Sequence, residues 1–194
     1  MPSGFYRRPD GSTEQFRCAP GPMGWRYFSQ IRSAAGVTNV DLSVDAAWRP
    51  VRVRIQTPAH HLLLNARGPS ILDDEQLDVT FDLETSTVDF PSPSFPLATA
   101  RRLGDTAEID ALAIDIETLA TSSERHRYEA GDEEEIATPA GRFVARAWRH
   151  VAPHPGFSRA LWIAGDVVIA ADGMELAAYD PGGHGPRPVG SREP

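Results

Sequence analysis

Apolar and polar residues alternate with a period of two along most of this chain. Leu42 and Val44 stand between Asp41, Ser43 and Asp45. Val51, Val53 and Ile55 alternate with Arg52, Arg54 and Gln56. Leu77, Val79, Phe81 and Leu83 alternate with Gln76, Asp78, Thr80 and Asp82. Successive side chains of a strand point to opposite faces, so this period predicts a sheet with one apolar and one polar face. Trp25 to Ile31 is aromatic and strand-prone, with a turn at Ala34-Ala35-Gly36, and Pro50 suits the first position of a strand.

Further along, the phase shifts. Ile109, Ala111 and Ala113 share one parity, whereas Leu112, Ile114 and Ile116 share the other. A bulge, a strand buried on both faces or a short helix would each account for this. Thr138-Pro-Ala-Gly141 predicts a turn into a strand from Arg142 to His150. Gly165-Asp166 and Asp172-Gly173 have the composition of two-residue hairpin turns between short apolar runs. Only Phe95 to Leu103 reads as helical, with Pro96 in the first turn. Many short strands and at most one or two short helices predict an all-β, mainly antiparallel meander, curled into a β-roll or open barrel that hides its edges.

Residues 1–23 are rich in Gly, Pro, Ser and Arg and read as a loose N-terminal arm. Residues 24–180 form the single predicted domain. Residues 181–194 hold so much Gly and Pro that they read as a flexible tail.

Composition narrows the function classes. At 194 residues, with 41% hydrophobic and 24% charged content, the chain suits one domain with a substantial core. No apolar run approaches the roughly 20 residues that span a bilayer as a helix, and no signal-peptide pattern opens the chain. A cytoplasmic protein without an integral membrane segment is the expectation. Net charge is −8, which disfavours nucleic acid as a partner. All 19 basic residues are arginine. Schiff-base chemistry, a lysine base and a P-loop lysine are therefore excluded within this chain. The single cysteine, Cys18, excludes an internal disulfide and a cysteine-based metal cluster. No cofactor is expected.

Four segments, in order, resemble a family described as glycolipid-binding. They are Asp45-Ala-Ala-Trp48-Arg49, Asp78-Val-Thr-Phe-Asp82-Leu83, Phe95 to Arg101-Arg102-Leu103, and Arg125-His-Arg-Tyr128-Glu129. The likeness covers residues 40–180 as an order of motifs. In this chain Leu97 to Ala100 separate the proline from the paired arginines, and the segment Asn-Thr-Leu-Pro is absent. The resemblance implies a spiral antiparallel β-roll and a lipid-like ligand.

Several residues are candidates for a site. Arg101 or Arg102 suits bidentate contact with a carboxylate, a sulfate or a sugar hydroxyl, or else an ion pair with Asp78 or Asp82. Arg125 and Arg127 share one strand face; His126 and Tyr128 share the other. The first pair lines a lumen or is solvated. The acidic run from Asp132 to Glu135 reads as an exposed hairpin tip. Trp25, Trp48, Trp148 and Trp162 suit either cavity walls or core packing. His60 and His61, as strand neighbours, are expected to point to opposite sides, one buried and one at the surface. In an enzyme, one of them would move a proton with Asp78 orienting it. His150 and His154 are four apart, but Pro153 and Pro155 break the helix that would stack them, so no metal site is expected there.

The chain therefore reads as a module that binds a hydrophobic or amphipathic small molecule (a lipid, glycolipid, sterol or terpenoid). The expected contacts are Trp25, Trp48, Arg101, Arg102, Arg125, Tyr128 and Trp148. A cofactor-independent hydratase, isomerase, cyclase or hydrolase acting on a similar substrate is the alternative, with His60, His61 and Asp78 as its catalytic candidates. The sequence leaves a homodimer open.

Overall fold

A computed structural model describes residues 1–21, 24–77, 85–153 and 157–190. The described strands are β1 (Ser3–Arg7), β2 (Thr13–Gly21), β3 (Gly24–Ser33), β4 (Gly36–Asp45), β5 (Pro50–Gln56), β6 (His61–Asn65), β7 (Ser70–Leu72), β8 (Glu75–Leu77) and β9 (Ser86–Asp89). After helix α1 (Ser94–Leu103) come β10 (Ala107–Ile114), β11 (Thr121–Thr138), β12 (Gly141–Val151), β13 (Ser158–Ala164), β14 (Val167–Ala171) and β15 (Met174–Asp180). They form one sheet in the order β8 to β1, then β15 down to β9. Every neighbouring pair is antiparallel except β9 with β10. The fold is thus the all-β roll that the alternation predicts. No helix among the described residues is long and apolar enough to cross a membrane.

Two sequence expectations are corrected. The first 21 residues are not a loose arm: β1 and β2 lie at the centre of the sheet, and β1 joins the two halves by pairing with both β2 and β15. Tyr6, Phe16 and Cys18 carry this segment into the core, despite its Gly, Pro and Arg content. Burial of large aromatics outweighs weak local propensity. In the tail, residues 181–190 are held against the sheet. The Val189 N–H donates to the Arg142 carbonyl at 2.6 Å, and Gly185 lies against the Tyr179 hydroxyl and Pro2.

Alternating residues face the interior of the roll. Aromatic rings stack across β1, β2 and β3. Tyr6 meets Phe16 at 4.8 Å between ring centroids, Phe16 meets Tyr27 at 5.5 Å, and Trp25 continues the series to Trp48. Helix α1 lies inside the curl against β4, β9 and β14, with every residue from Ser94 to Ala100 buried. Gly104 ends it in the left-handed region (φ 70°), where its N–H caps the Ala100 carbonyl.

One bulge decides what faces inward on β12. Opposite β11, Ala130 pairs with Trp148 but Glu133 pairs with Arg146, so Gly131 and Asp132 form an irregularity. On one side of it Phe143 and Ala145 are buried; on the other, Trp148 and His150 are buried. An unbroken register would turn Trp148 and His150 to solvent. A Cβ on Gly131 would sit 3.2 Å from that of Ala147, so the two strands would have to give by a few tenths of an ångström to take one. The acidic run is therefore not a hairpin tip but an exposed stretch within β11, with the turn at 139–140. The phase shift at 109–119 resolves as β10, where Ala111 and Leu112 are both buried.

Candidate functional site

Consecutive antiparallel strands turn at alternate ends of the roll. The turns β1–β2, β3–β4, β5–β6, β10–β11 and β14–β15 gather at one end with the β9–α1 connection. They enclose a cleft of about 710 Å³. Its walls are largely apolar, from Ile31, Phe90, Pro93, Leu161, Val168 and Met174. Among the described residues, buried side chains and α1 occupy the interior of the roll below it.

Two arginines mark the cleft. Arg8 is neutralised: its Nη2 donates to Glu14 Oε2 at 2.9 Å and to the Pro91 carbonyl at 3.2 Å. Glu14 is wholly buried, and its other oxygen accepts from Ser92 at 2.6 Å, Ser29 at 2.7 Å and Tyr27 at 3.3 Å. This cluster ties the β9–α1 connection to β2 and β3. Arg159 differs. Its guanidinium lies 5.4 Å from the Phe157 ring centroid and has no carboxylate within 4 Å among the described residues.

Beside the cleft runs a polar row, buried at Tyr128 and His150 and half-buried at Arg159. Register sets Tyr128, His150 and Arg159 side by side across β11, β12 and β13. The Tyr128 ring stacks on His150 at 4.4 Å, and Phe157 meets His150 edge-on. His150 Nε2 lies 2.9 Å from His126 Nδ1, and His126 Nε2 lies 2.9 Å from Glu124 Oε2. With His126 neutral, its Nε2–H donates to Glu124 and its Nδ1 accepts from the His150 Nε2–H. The outer nitrogen of His150, Nδ1, is then a bare acceptor. It is buried and has no hydrogen-bond partner among the described residues. Burial, reinforced by His126 and Arg159, pushes the His150 pKa down to about 3, so the ring stays neutral at ordinary pH.

Asp89 completes the cluster. A carboxylate oxygen of Asp89 and a ring nitrogen from each histidine lie within 4.8 Å of one another. Burial raises the Asp89 carboxyl above its usual range, offset in part by His126 and Arg159. Helix α1 supports this region through Thr99, whose hydroxyl lies 2.6 Å from that of Thr87 on β9.

The structure distributes the residues singled out from sequence. Tyr128 is in the buried row. Arg125 lies on the outer face, paired with Asp110 at 2.7 Å, while His126 and Tyr128 face inward. At the opposite end of the roll, Arg101 lies 5.3 Å from the Trp48 ring centroid and 3.6 Å from Asp166, and Trp48 packs on Trp25. The motif Asp45-Ala-Ala-Trp48-Arg49 is a turn there. Asp45 Oδ1 accepts from the Ala47 and Arg49 N–H groups, each at 2.9 Å, and Trp48 takes a left-handed φ of 61°. Arg101 and Trp148 border a smaller hollow of about 300 Å³ at that end. Arg102 donates to the Ser86 carbonyl at 2.5 Å.

His60 and His61 do not divide into one buried and one exposed. Both are partly exposed and converge on Asp73, His60 Nδ1 at 2.5 Å and His61 Nδ1 at 3.7 Å. The turn at Asp73-Asp74, two residues in the left-handed region, brings the carboxylate back to both. Asp78, Asp82 and His154 lie outside the described residues.

Glu124, Asp89 and Arg159 carried no signal in the sequence, and His126 and His150 only a partial one. Alternation puts His126 on the same face as Tyr128, but no local pattern pairs it with His150.

No family model and no curated protein matches the chain. Among solved structures, a DUF1089 family protein from Pseudomonas aeruginosa superposes with a TM-score of 0.55 at 24% identity, covering 84% of this chain and 90% of that one. A β-barrel-like protein of the domain of unknown function DUF1849 from Brucella abortus gives a TM-score of 0.48 at 9% identity, covering 92% and 96%. The first likeness supports the fold of the roll.

Proposed function

We propose that this protein binds an amphipathic small molecule in the mouth of the roll, with the apolar body against Ile31, Phe90, Leu161 and Val168 and an anionic or hydroxylated end at Arg159. One observation carries the reading: a largely apolar cleft of about 710 Å³ contains a guanidinium with no carboxylate of the described residues within 4 Å. Clefts of this size and character accommodate small-molecule ligands. A guanidinium presents a fixed fork of donors suited to carboxylate, sulfate or phosphate. Lipids, glycolipids, sterols and terpenoids with such a head fit the chemistry. The likeness to a glycolipid-binding family agrees with it, although the arginines that carry that likeness lie away from this cleft.

The enzyme alternative requires a histidine and a carboxylate converging on the ligand. Among the described residues lining the cleft there is no histidine. That favours a carrier over a catalyst.

Native mass spectrometry of the purified chain, followed by organic extraction, tests the proposal. A stoichiometric amphiphile, or saturable binding of a fluorescent fatty acid displaced by unlabelled anionic amphiphiles, supports it. An empty protein that binds no member of a panel of anionic and neutral amphiphiles overturns it.

A further inference from the structure

We infer that Asp89, His126 and His150 form a binding site for one divalent transition-metal ion of the zinc type. Nothing in the cleft-binding proposal requires this site, and either can fail without the other.

The donor set comes first. Two imidazoles and a carboxylate, from β9, β11 and β12, converge within 4.8 Å. Nitrogen and oxygen donors in this ratio suit zinc, cobalt or iron(II), and do not suit calcium or magnesium, which take oxygen. The nitrogens His126 Nδ1 and His150 Nε2 are 2.9 Å apart. Two ligands on a tetrahedral zinc, each at roughly 2.0–2.1 Å, stand about 3.3 Å apart, so the two rings must part by a few tenths of an ångström and the Asp89 oxygen, within 4.8 Å of them, must close to the same spacing.

The surroundings are those of a ligand shell. A metal-bound histidine usually donates its other ring N–H to a carboxylate, which fixes its tautomer and orientation. His126 has that partner in Glu124 at 2.9 Å. Tyr128 stacked on His150 holds the second ring, whose Nδ1 would carry the proton when Nε2 binds the ion and has no hydrogen-bond partner among the described residues. Both histidines are about 1% exposed.

Charge agrees. Without an ion, Asp89 and Glu124 place two carboxylates beside the histidine pair. A dication would favour the ionised form of Asp89 and replace one N–H···N hydrogen bond with two coordinate bonds. Three protein ligands leave a further position for water or an external donor, the usual arrangement of a non-structural zinc site.

The test uses tag-free full-length protein, stripped with chelator and titrated with Co²⁺ and then Zn²⁺. The expected result is one equivalent of Co²⁺ with the intense visible bands of four-coordinate cobalt, bleached by one equivalent of Zn²⁺. Asp89→Asn preserves shape and removes the anionic donor; it should weaken binding by at least tenfold. Glu124→Gln should weaken it by about 10- to 100-fold while keeping the spectrum, because that residue positions His126 without touching the ion. Circular dichroism and thermal melts of the metal-free variants establish that they fold. Should either variant fail to fold, stoichiometry and band intensity in the unmodified protein decide alone. Only the weak spectrum of hydrated Co²⁺ in the unmodified protein, or binding unchanged in a folded Asp89→Asn variant, overturns the inference.

Discussion

His150 Nε2 lies 2.9 Å from His126 Nδ1 across 24 residues of chain, and neither ring reaches solvent. The hydrogen-bond chain from Glu124 through His126 ends at a buried nitrogen with no partner among the described residues. This makes the metal-free protein acid-sensitive. The pKa of His150 is about 3 in the fold against an ordinary 6.5. Between these values the unfolded chain binds a proton that the folded chain does not, so stability falls as pH falls. The slope from this group approaches about 1.4 kcal/mol per pH unit. Asp89 opposes it: its raised carboxyl pKa makes the fold bind more protons than the unfolded chain above its ordinary 3.8. Urea unfolding of metal-free protein between about pH 4 and 7 should show the His150 contribution, stability gained with rising pH, set against that of Asp89. A folded His150→Gln variant should gain less stability with rising pH than the unmodified protein, and equal slopes in the two would contradict this account.

The Arg8–Glu14 pair should behave as a buried ion pair. Glu14 is wholly buried and Arg8 only 19% exposed. Arg8→Ala leaves the carboxylate with its hydroxyl donors alone and should cost about 3–5 kcal/mol. At this chain length that lowers Tm by roughly 10 °C. Replacing both residues with apolar side chains of similar volume should recover most of the loss. Calorimetry of the single and double variants checks it.

Within the cleft, Arg159 and not Arg101 should govern affinity for an anionic amphiphile. Charge-assisted hydrogen bonds contribute about 1.5–3 kcal/mol, so Arg159→Ala should raise Kd by at least tenfold. Arg101 stands at the other end of the roll with Trp48 and Asp166, and Arg101→Ala should leave Kd within about twofold. Displacement titrations with a fluorescent fatty acid measure both.

Cys18 should be inert in the native state. It is 2% exposed, its thiol points at the Asp166 carbonyl at 3.8 Å, and burial pushes its pKa up to about 12. The thiolate is the reactive form. An aromatic disulfide reagent at mildly alkaline pH should label the protein only in denaturant. Rapid labelling of the native protein would contradict the burial of β2.

The class of fold was legible in local pattern. Alternation at Leu42–Val44 and Val51–Ile55, the turns at 138–141, 165–166 and 172–173, and the helix ending at Arg102-Leu103 all correspond to described elements. The central place of β1 and β2 was not legible. Those strands depend on partners across the sheet, including β15 at the far end of the chain, and their Gly and Pro content conceals them.

The sequence by itself determined the face-alternating strands, the exclusion of lysine chemistry and the pairing of His126 with Tyr128 on one face. Each follows from bond geometry or composition within a few residues. Tertiary structure decided the rest. The bulge at Gly131 turned Trp148 and His150 inward, and the ladder of β9 to β13 brought Asp89, Glu124, His126, His150 and Arg159 together. The ion pairs of Arg8 and Arg101 set them apart from Arg159. Register and long-range pairing have no local code: one inserted residue reverses which side chains face the core.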